Sequence, residues 1–139
     1  MKYKDELIRS MEWLSEKDDT IFLGQSVLYS GNAIYNTLNT LPSEKMIELP
    51  VFEEVQMGMS TGLALDGYVP ISCFPRFDFL MRCMDALMNH LDKVKYMTEN
   101  IFQPKVIIRT SIGAKFPLDG GIQHTRDYTQ MMKDSLTEI

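Results

Sequence analysis

The chain has 139 residues, 45% of them hydrophobic and 24% charged, with a formal net charge of −5. That length holds one domain with a real core and is short for two, and the composition argues against disorder. An acidic balance with no basic stripe argues against nucleic acid, and no apolar run nears the roughly 20 residues of a membrane span.

The first element in chain order is a helix over 3–16, where Leu7, Ile8, Met11 and Leu14 recur at helical spacing with Trp13 beside the stripe. The opening MKYKDELIRSMEWLSEKDD is charged and amphipathic and lacks the apolar stretch of a secretory signal. Cys73 and Cys83 are the only cysteines and have no metal-like spacing. Together these features predict reduced thiols and a cytoplasmic location. TIFLGQSV (20–27) reads as a strand entering a glycine turn, GNAIYNTLNTL (31–41) as a weaker helix ended by Pro42, and EKMIELP (44–50) as a second strand. A helix over 53–66 comes next, rich in glycine, alanine, methionine and leucine, expected to be buried and closed by Gly67. YVPISCF (68–74) is a third strand, with Pro70 near its start, where a missing N–H is tolerated.

The best-defined helix covers 77–97. Phe77, Leu80, Met81, Met84, Leu87, Met88, Leu91 and Val94 mark one face, and Arg82, Asp85, Asn89, Asp92 and Lys93 the other, with His90 solvated near the polar edge. PKVIIRTS (104–111) is a fourth strand, apolar on both faces, and IGAKFPLDGGIQH (112–124) a long glycine-bearing loop. TRDYTQMMKDSLTEI is a final helix with Thr125 or Asp127 as N-cap. Strands alternating with helices predict an α/β fold, a three-layer α/β/α sandwich around a mainly parallel sheet. The chain ends in or just after a helix with no closing strand, as a fragment or a minimal version of a larger unit would. The 11 methionines read as soft core filler or as an adaptable interface.

Glycine-rich nucleotide motifs and a G-x-S-x-G elbow are absent. His90 and His124 lie far apart, so no metal site is expected from this chain alone. What stands out is the pair Glu53 and Glu54 just after Pro50. A strand, a proline and an acid in the first helical turn place a carboxylate at the C-terminal edge of a parallel sheet, where open α/β sheets bind ligands. The helix N-terminus favours the anion, whereas burial favours the neutral acid. A carboxyl held between the two can share a proton with a nitrogen heterocycle, or both acids can simply satisfy the helix terminus.

LPVFEEVQMGMSTGLALDGYVPISCFPRFDFLMRCMDAL (49–87) resembles the pyrimidine-binding domain of thiamine-diphosphate enzymes, closest to the β subunit of the E1 component of 2-oxoacid dehydrogenases of the pyruvate and branched-chain types. That family reads T-P-I-S-E-x-G-x-x-G-x-x-x-G, then G-x-x-P, then F-x-x-F-x-F. Pro50, Glu53, Gly58, Gly62, Gly67, Pro70, Phe74, Phe77 and Phe79 fall at the matching intervals without a gap. IFLGQSVLYSGNAIYNTLNTL, PKVIIRTSIGA and QHT (123–125) resemble flanking family segments in the same order.

The resemblance implies that residues 1–139 are a single pyrimidine-binding domain, truncated at its C-terminus relative to the family. It selects Glu53, not Glu54, as the acid that hydrogen-bonds the aminopyrimidine of the cofactor and so activates the thiazolium carbon for attack on a small 2-keto substrate. It places Phe79 and Phe77 against the pyrimidine, with ordinary core aromatics as the alternative, and His124 toward substrate and acyl acceptor, with a plain loop histidine as the alternative. Gly58 and Gly62 would let the helix approach a neighbour closely. Gln25 stands where the family has an acid and Val55 where it has a small residue, and the tail after about residue 126 does not follow the family. The G-D-G…N motif that holds Mg²⁺ and the diphosphate is missing. Thiamine diphosphate would therefore be shared with a diphosphate-binding, E1 α-like partner that supplies the Mg²⁺ site, in a homodimer or an α₂β₂ assembly. Two alternatives stand beside this reading: a transketolase-like two-carbon transferase subunit, and a non-catalytic interaction domain that keeps the fold.

Overall fold

The computed structural model describes residues 2–138. Four strands, β1 (Thr20–Gly24), β2 (Met46–Glu48), β3 (Val69–Cys73) and β4 (Ile107–Arg109), form an all-parallel sheet in the order β2-β1-β3-β4. The central register pairs Thr20 with Val69 and runs to Gly24 with Cys73. Pro70 fits in this central strand for a local reason. Val69 donates to the Asp19 carbonyl on the β1 side. Alternation then turns the Pro70 nitrogen toward β4, whose pairing begins only at Ile71.

The pleat of β3 separates two cores. Ile71 and Cys73 face one layer, with Met11 of helix α1 (Tyr3–Ser15) and Ile34, Leu38 and Leu41. Between them Ser72 faces the opposite layer, where it meets Gln56 of helix α2 (Glu53–Leu65). That second layer also holds the segment from α3 (Phe77–Leu80) to α4 (Asp92–Met97), and α5 (Thr129–Ser135) through Met132. The three-layer α/β/α arrangement expected from the alternating pattern is present.

Several elements differ from expectation. The stretch 31–41 is not a helix but a loop with one 3₁₀ turn, Tyr35–Thr37. Its Asn and Thr side chains compete for the backbone: Asn32 accepts the Tyr35 N–H and Thr37 donates to the Ile34 carbonyl. The apolar spacing survives as core contacts without the helix. Strand β4 is half open to solvent rather than covered on both faces, because it is a sheet edge. Neither Thr125 nor Asp127 is the N-cap of α5; Tyr128 holds that position, and Asp127 accepts the Thr129 N–H from one residue earlier. Cys73 and Cys83 are free, as expected, and burial pushes both thiols up to about 12.

The 77–97 segment is helical but not uniformly α. After α3 it tightens into a 3₁₀ turn at Met81–Cys83 and widens into a π-helical stretch at Ala86–Leu91. The wider turn rotates the residues beyond it, so Asp92, expected on the polar face, is fully buried. Its Oδ1 accepts the N–H groups of Thr137 (3.0 Å) and Glu138 (2.8 Å), and its Oδ2 accepts from Thr137 Oγ1 (3.0 Å) and Lys93 Nζ (2.6 Å). Burial works to raise the Asp92 pKa, but Lys93 and the three Thr137 and Glu138 donors outweigh it and hold the carboxyl well below its ordinary 3.8. A depressed folded pKa stabilises above the unfolded value and ceases to do so as pH falls through the folded one. Docking of residues 137–138 is therefore complete at neutral pH and loosens progressively below 3.8. Asp92→Ala should release these residues at neutral pH, with a loss of about 1.5–3 kcal/mol for hydrogen bonds to a charged group. Amide exchange at Thr137 and Glu138 measures both effects; unchanged protection in the variant would show that the clamp does not hold the tail.

Candidate functional site

Helix α2 begins at Glu53, five residues beyond the end of β2 at Glu48. Its orientation is set by a buried polar row. Gln56 Nε2 donates to Ser72 Oγ (3.0 Å) and to the Cys73 carbonyl (3.1 Å), and Ser60 Oγ donates to the Gln56 carbonyl (2.9 Å). Glu53 shares this inward face and is only 6% exposed. The helix is thus not buried all round, as its composition suggested. Its other face carries Val55, Gly58, Gly62 and Leu65, all exposed, and a Cβ added at Gly58 or Gly62 would meet nothing within 4 Å. Close approach at these glycines does not occur within this chain.

The partner of Glu53 is Arg82, with Nε 3.5 Å from Glu53 Oε2. The Arg82 side chain is 75% exposed, so solvent screens the pair and it holds the carboxylate weakly. Cys83, next to Arg82, senses the same carboxylate: after burial, the Glu53 charge is the next cause that raises its thiol. Glu54 is exposed.

Phe79 lies one turn before Arg82 and Cys83 on the same helical segment and packs edge-on against His124, with ring centroids 5.4 Å apart at 84°. Phe77 goes elsewhere: it is buried in the core and packs edge-on against Tyr128 at 5.6 Å. Of the expected residues the structure therefore pairs Phe79 with His124, gives Glu53 the unanticipated partner Arg82, and sets Phe77 in the core. His124 Nδ1 is buried without a hydrogen-bond partner.

Two features not anticipated from sequence fix the surroundings. The first is Glu48, whose carboxylate accepts the N–H groups of Ser26 (2.6 Å), Val27 (2.9 Å) and Leu28 (2.9 Å). It folds the loop after β1 back onto β2, with Ser26 at φ 55°, and ends β1 at Gly24 rather than at 27. An acid closing a strand before a proline was its sole sequence signal. The second is the packing of the 112–124 loop on itself. A Cβ at Gly113 would stand 1.9 Å from the His124 carbonyl oxygen, and one at Gly120 would stand 3.0 Å from His124 Cβ. Among the described residues, no group of three or more His, Cys, Asp or Glu side chains could hold a metal ion. No helix among them is long and apolar enough to cross a membrane.

The gap-free run of family positions leads to an acid that is buried at the sheet edge and loosely partnered. The chain resembles E1 β subunits. It is 26% identical over 133 residues to the mitochondrial pyruvate dehydrogenase E1 component subunit beta of Saccharomyces cerevisiae, covering 93% of this chain and 36% of that protein. It is 24% identical over 130 residues to the 2-oxoisovalerate dehydrogenase subunit beta of Bacillus subtilis, covering 91% and 39%. It is 27% identical over 96 residues to the acetoin:2,6-dichlorophenolindophenol oxidoreductase subunit beta of Cupriavidus necator, covering 69% and 27%. No protein-family model matches the chain. The chain spans about a third of the length of the curated E1 β relatives it matches.

The loop packing generates a test. Gly113→Ala forces the strand-end segment and the His124 backbone apart, because both clashing atoms are main chain. The expected outcome is a lowered thermal midpoint and displaced His124 ring resonances, while Gly58→Ala, in open space on a helix, leaves both unchanged or slightly raises the midpoint. Equal behaviour of the two variants would show that the loop does not pack on His124.

Proposed function

We propose that this chain is one pyrimidine-binding domain, over residues 1–139, that acts as the activating half of a thiamine-diphosphate-dependent enzyme of the 2-oxoacid dehydrogenase E1 type. The observation that carries the reading is Glu53: a carboxyl at the family's position, buried in the first turn of α2 and held only by a screened pair with Arg82. Such a group has the chemistry that an aminopyrimidine ring nitrogen needs as a partner. His124 supplies a buried imidazole nitrogen without a partner beside Phe79, which fits an aromatic wall and a polar group toward substrate. When bound, thiamine diphosphate supplies the electron sink for bond breaking next to a keto carbon. Glu53 would present its carboxyl to the heterocycle nitrogen as a hydrogen-bond and proton-exchange partner, and its low exposure limits competition from water. Phe79 would form an aromatic wall for the cofactor ring, and His124 would supply a polar group toward the 2-keto substrate or its acyl acceptor.

The remaining parts of the reading are the partners. The exposed face of α2, with Val55, Gly58, Gly62 and Leu65, supports docking of another chain. We assign to an E1 α-like subunit the diphosphate and Mg²⁺ contacts, in an αβ or α₂β₂ assembly. The cytoplasm is the proposed location, supported by two free, buried thiols.

The decisive comparison is Glu53→Gln against Glu54→Gln in the chain reconstituted with its α-like partner, thiamine diphosphate and Mg²⁺. Glu53→Gln keeps shape and loses the acidic proton, so turnover should fall roughly 10²–10⁴-fold, the range of general acid–base contributions. Glu54, exposed on the helix, should tolerate the change with little loss. Full activity in Glu53→Gln would remove the thiamine reading; a larger loss at Glu54 would move the acid by one position.

A further inference from the structure

A cleft of about 790 Å³ opens at the end of β4, bounded by α1, the 33–37 segment and residues 108–112. Neither Glu53, Phe79 nor His124 lines it. Its volume lies within the range of small-molecule sites, roughly 300–1,000 Å³. The C-terminal edge of a parallel sheet is also where such ligands sit.

The polar lining has one sign. Arg109 and Lys4 contribute to the wall, and among the described residues no aspartate or glutamate does. The guanidinium of Arg109 is only half used. Its Nη2 donates to Thr37 Oγ1, which orients the group, whereas its Nη1 is buried with no hydrogen-bond partner. Among the described residues, no carboxylate lies within ion-pair distance of Arg109. The adjacent Thr110 Oγ1 is likewise buried and without a partner. A half-buried cation without a counter-charge is costly, and so is a buried donor without an acceptor. An anionic group with several oxygens would supply the missing charge to the guanidinium, and a small turn of the Arg109 and Thr110 side chains toward the cleft would give their closed-off donors acceptors. The rest of the wall, Leu7, Ile34 and Phe77 among it, is apolar and suits an organic body rather than a bare ion.

We propose that this cleft binds a small organic anion, a carboxylate or a phosphate ester with an apolar body, through Arg109 and Thr110. Thr37 positions the guanidinium, and Lys4 adds charge at the exposed rim.

The test is an NMR titration of the full chain with benzoate, phenyl phosphate and the neutral benzamide as probes. The expected result is saturable shifts at the Arg109 side-chain Nε–H and the amides of Thr37, Arg109 and Thr110 with one or both anions, at a Kd of roughly millimolar or tighter, and none with benzamide. The anion with the lower Kd identifies carboxylate or phosphate. Arg109→Gln should weaken binding about tenfold or more, as the loss of a charge-assisted hydrogen bond implies. Thr110→Val keeps shape and removes the hydroxyl, and Lys4→Ala alters an exposed rim residue; each should weaken binding a few-fold, roughly as one hydrogen bond or one screened charge does, with the thermal midpoint of the free protein unchanged or, for Thr110→Val, raised. These two variants decide the matter even if Arg109→Gln fails to fold. The proposal is overturned by the absence of saturable shifts, by equal binding of benzamide, by shifts confined to other residues, or by unchanged affinity in both Thr110→Val and Lys4→Ala.

Discussion

One buried amide governs the geometry on which the rest depends. Gln56 joins α2 to β3 through Ser72 and the Cys73 carbonyl, and in doing so it chooses which side of α2 faces the sheet. The junction is tight enough to dictate its neighbours. Gly24 ends β1 against the same carbonyl, at φ +149°, and an added Cβ there would stand 2.2 Å from Cys73 O and 3.2 Å from Gln56 Nε2. With Gln56 fixed, Glu53 lies one turn earlier on the same face and is carried into the interior. A helix whose inward stripe were apolar would have settled as easily in another rotation; hydrogen bonds with directional partners do not allow that.

The polar inward row has a counterpart outside. Val55 and Leu65 are exposed on α2, and Val51 and Phe52 are exposed just before it. For an isolated globular domain this distribution is inverted. Exposed apolar and small residues of this kind support the docking of another chain proposed above. The structure thus couples two properties in one helix: the face that hides the acid necessarily presents the apolar face outward, and neither can change without the other.

Much of this was legible in the sequence, and the reasons for the remainder are specific. All four strands were found, because short apolar runs bounded by Gly and Pro carry a strong local signal. Helix α2 was placed to within a residue, and its first acid, Glu53, is buried. Its exposure pattern was misread, since composition alone reports how greasy a helix is and not which of its residues find polar partners across space. The 31–41 segment kept a helical spacing of apolar residues while its Asn and Thr side chains captured the backbone. Asp92 was assigned to the solvent face by a uniform period, which the π-helical stretch before it breaks. Glu48 was invisible as a clamp because its three donors lie 20–22 residues away in sequence.

The Glu48 clamp has a consequence for what can bind near the end of β1. Successive backbone N–H groups in a turn form a concavity suited to phosphate or carboxylate oxygens. Here the occupant is tethered. Because β2 holds Glu48 beside the loop, the carboxylate is already positioned on its three donors and cannot diffuse away. A free anion has to displace this tethered group to reach the 26–28 amides. The loop is in this sense a saturated receptor whose ligand is encoded in the chain.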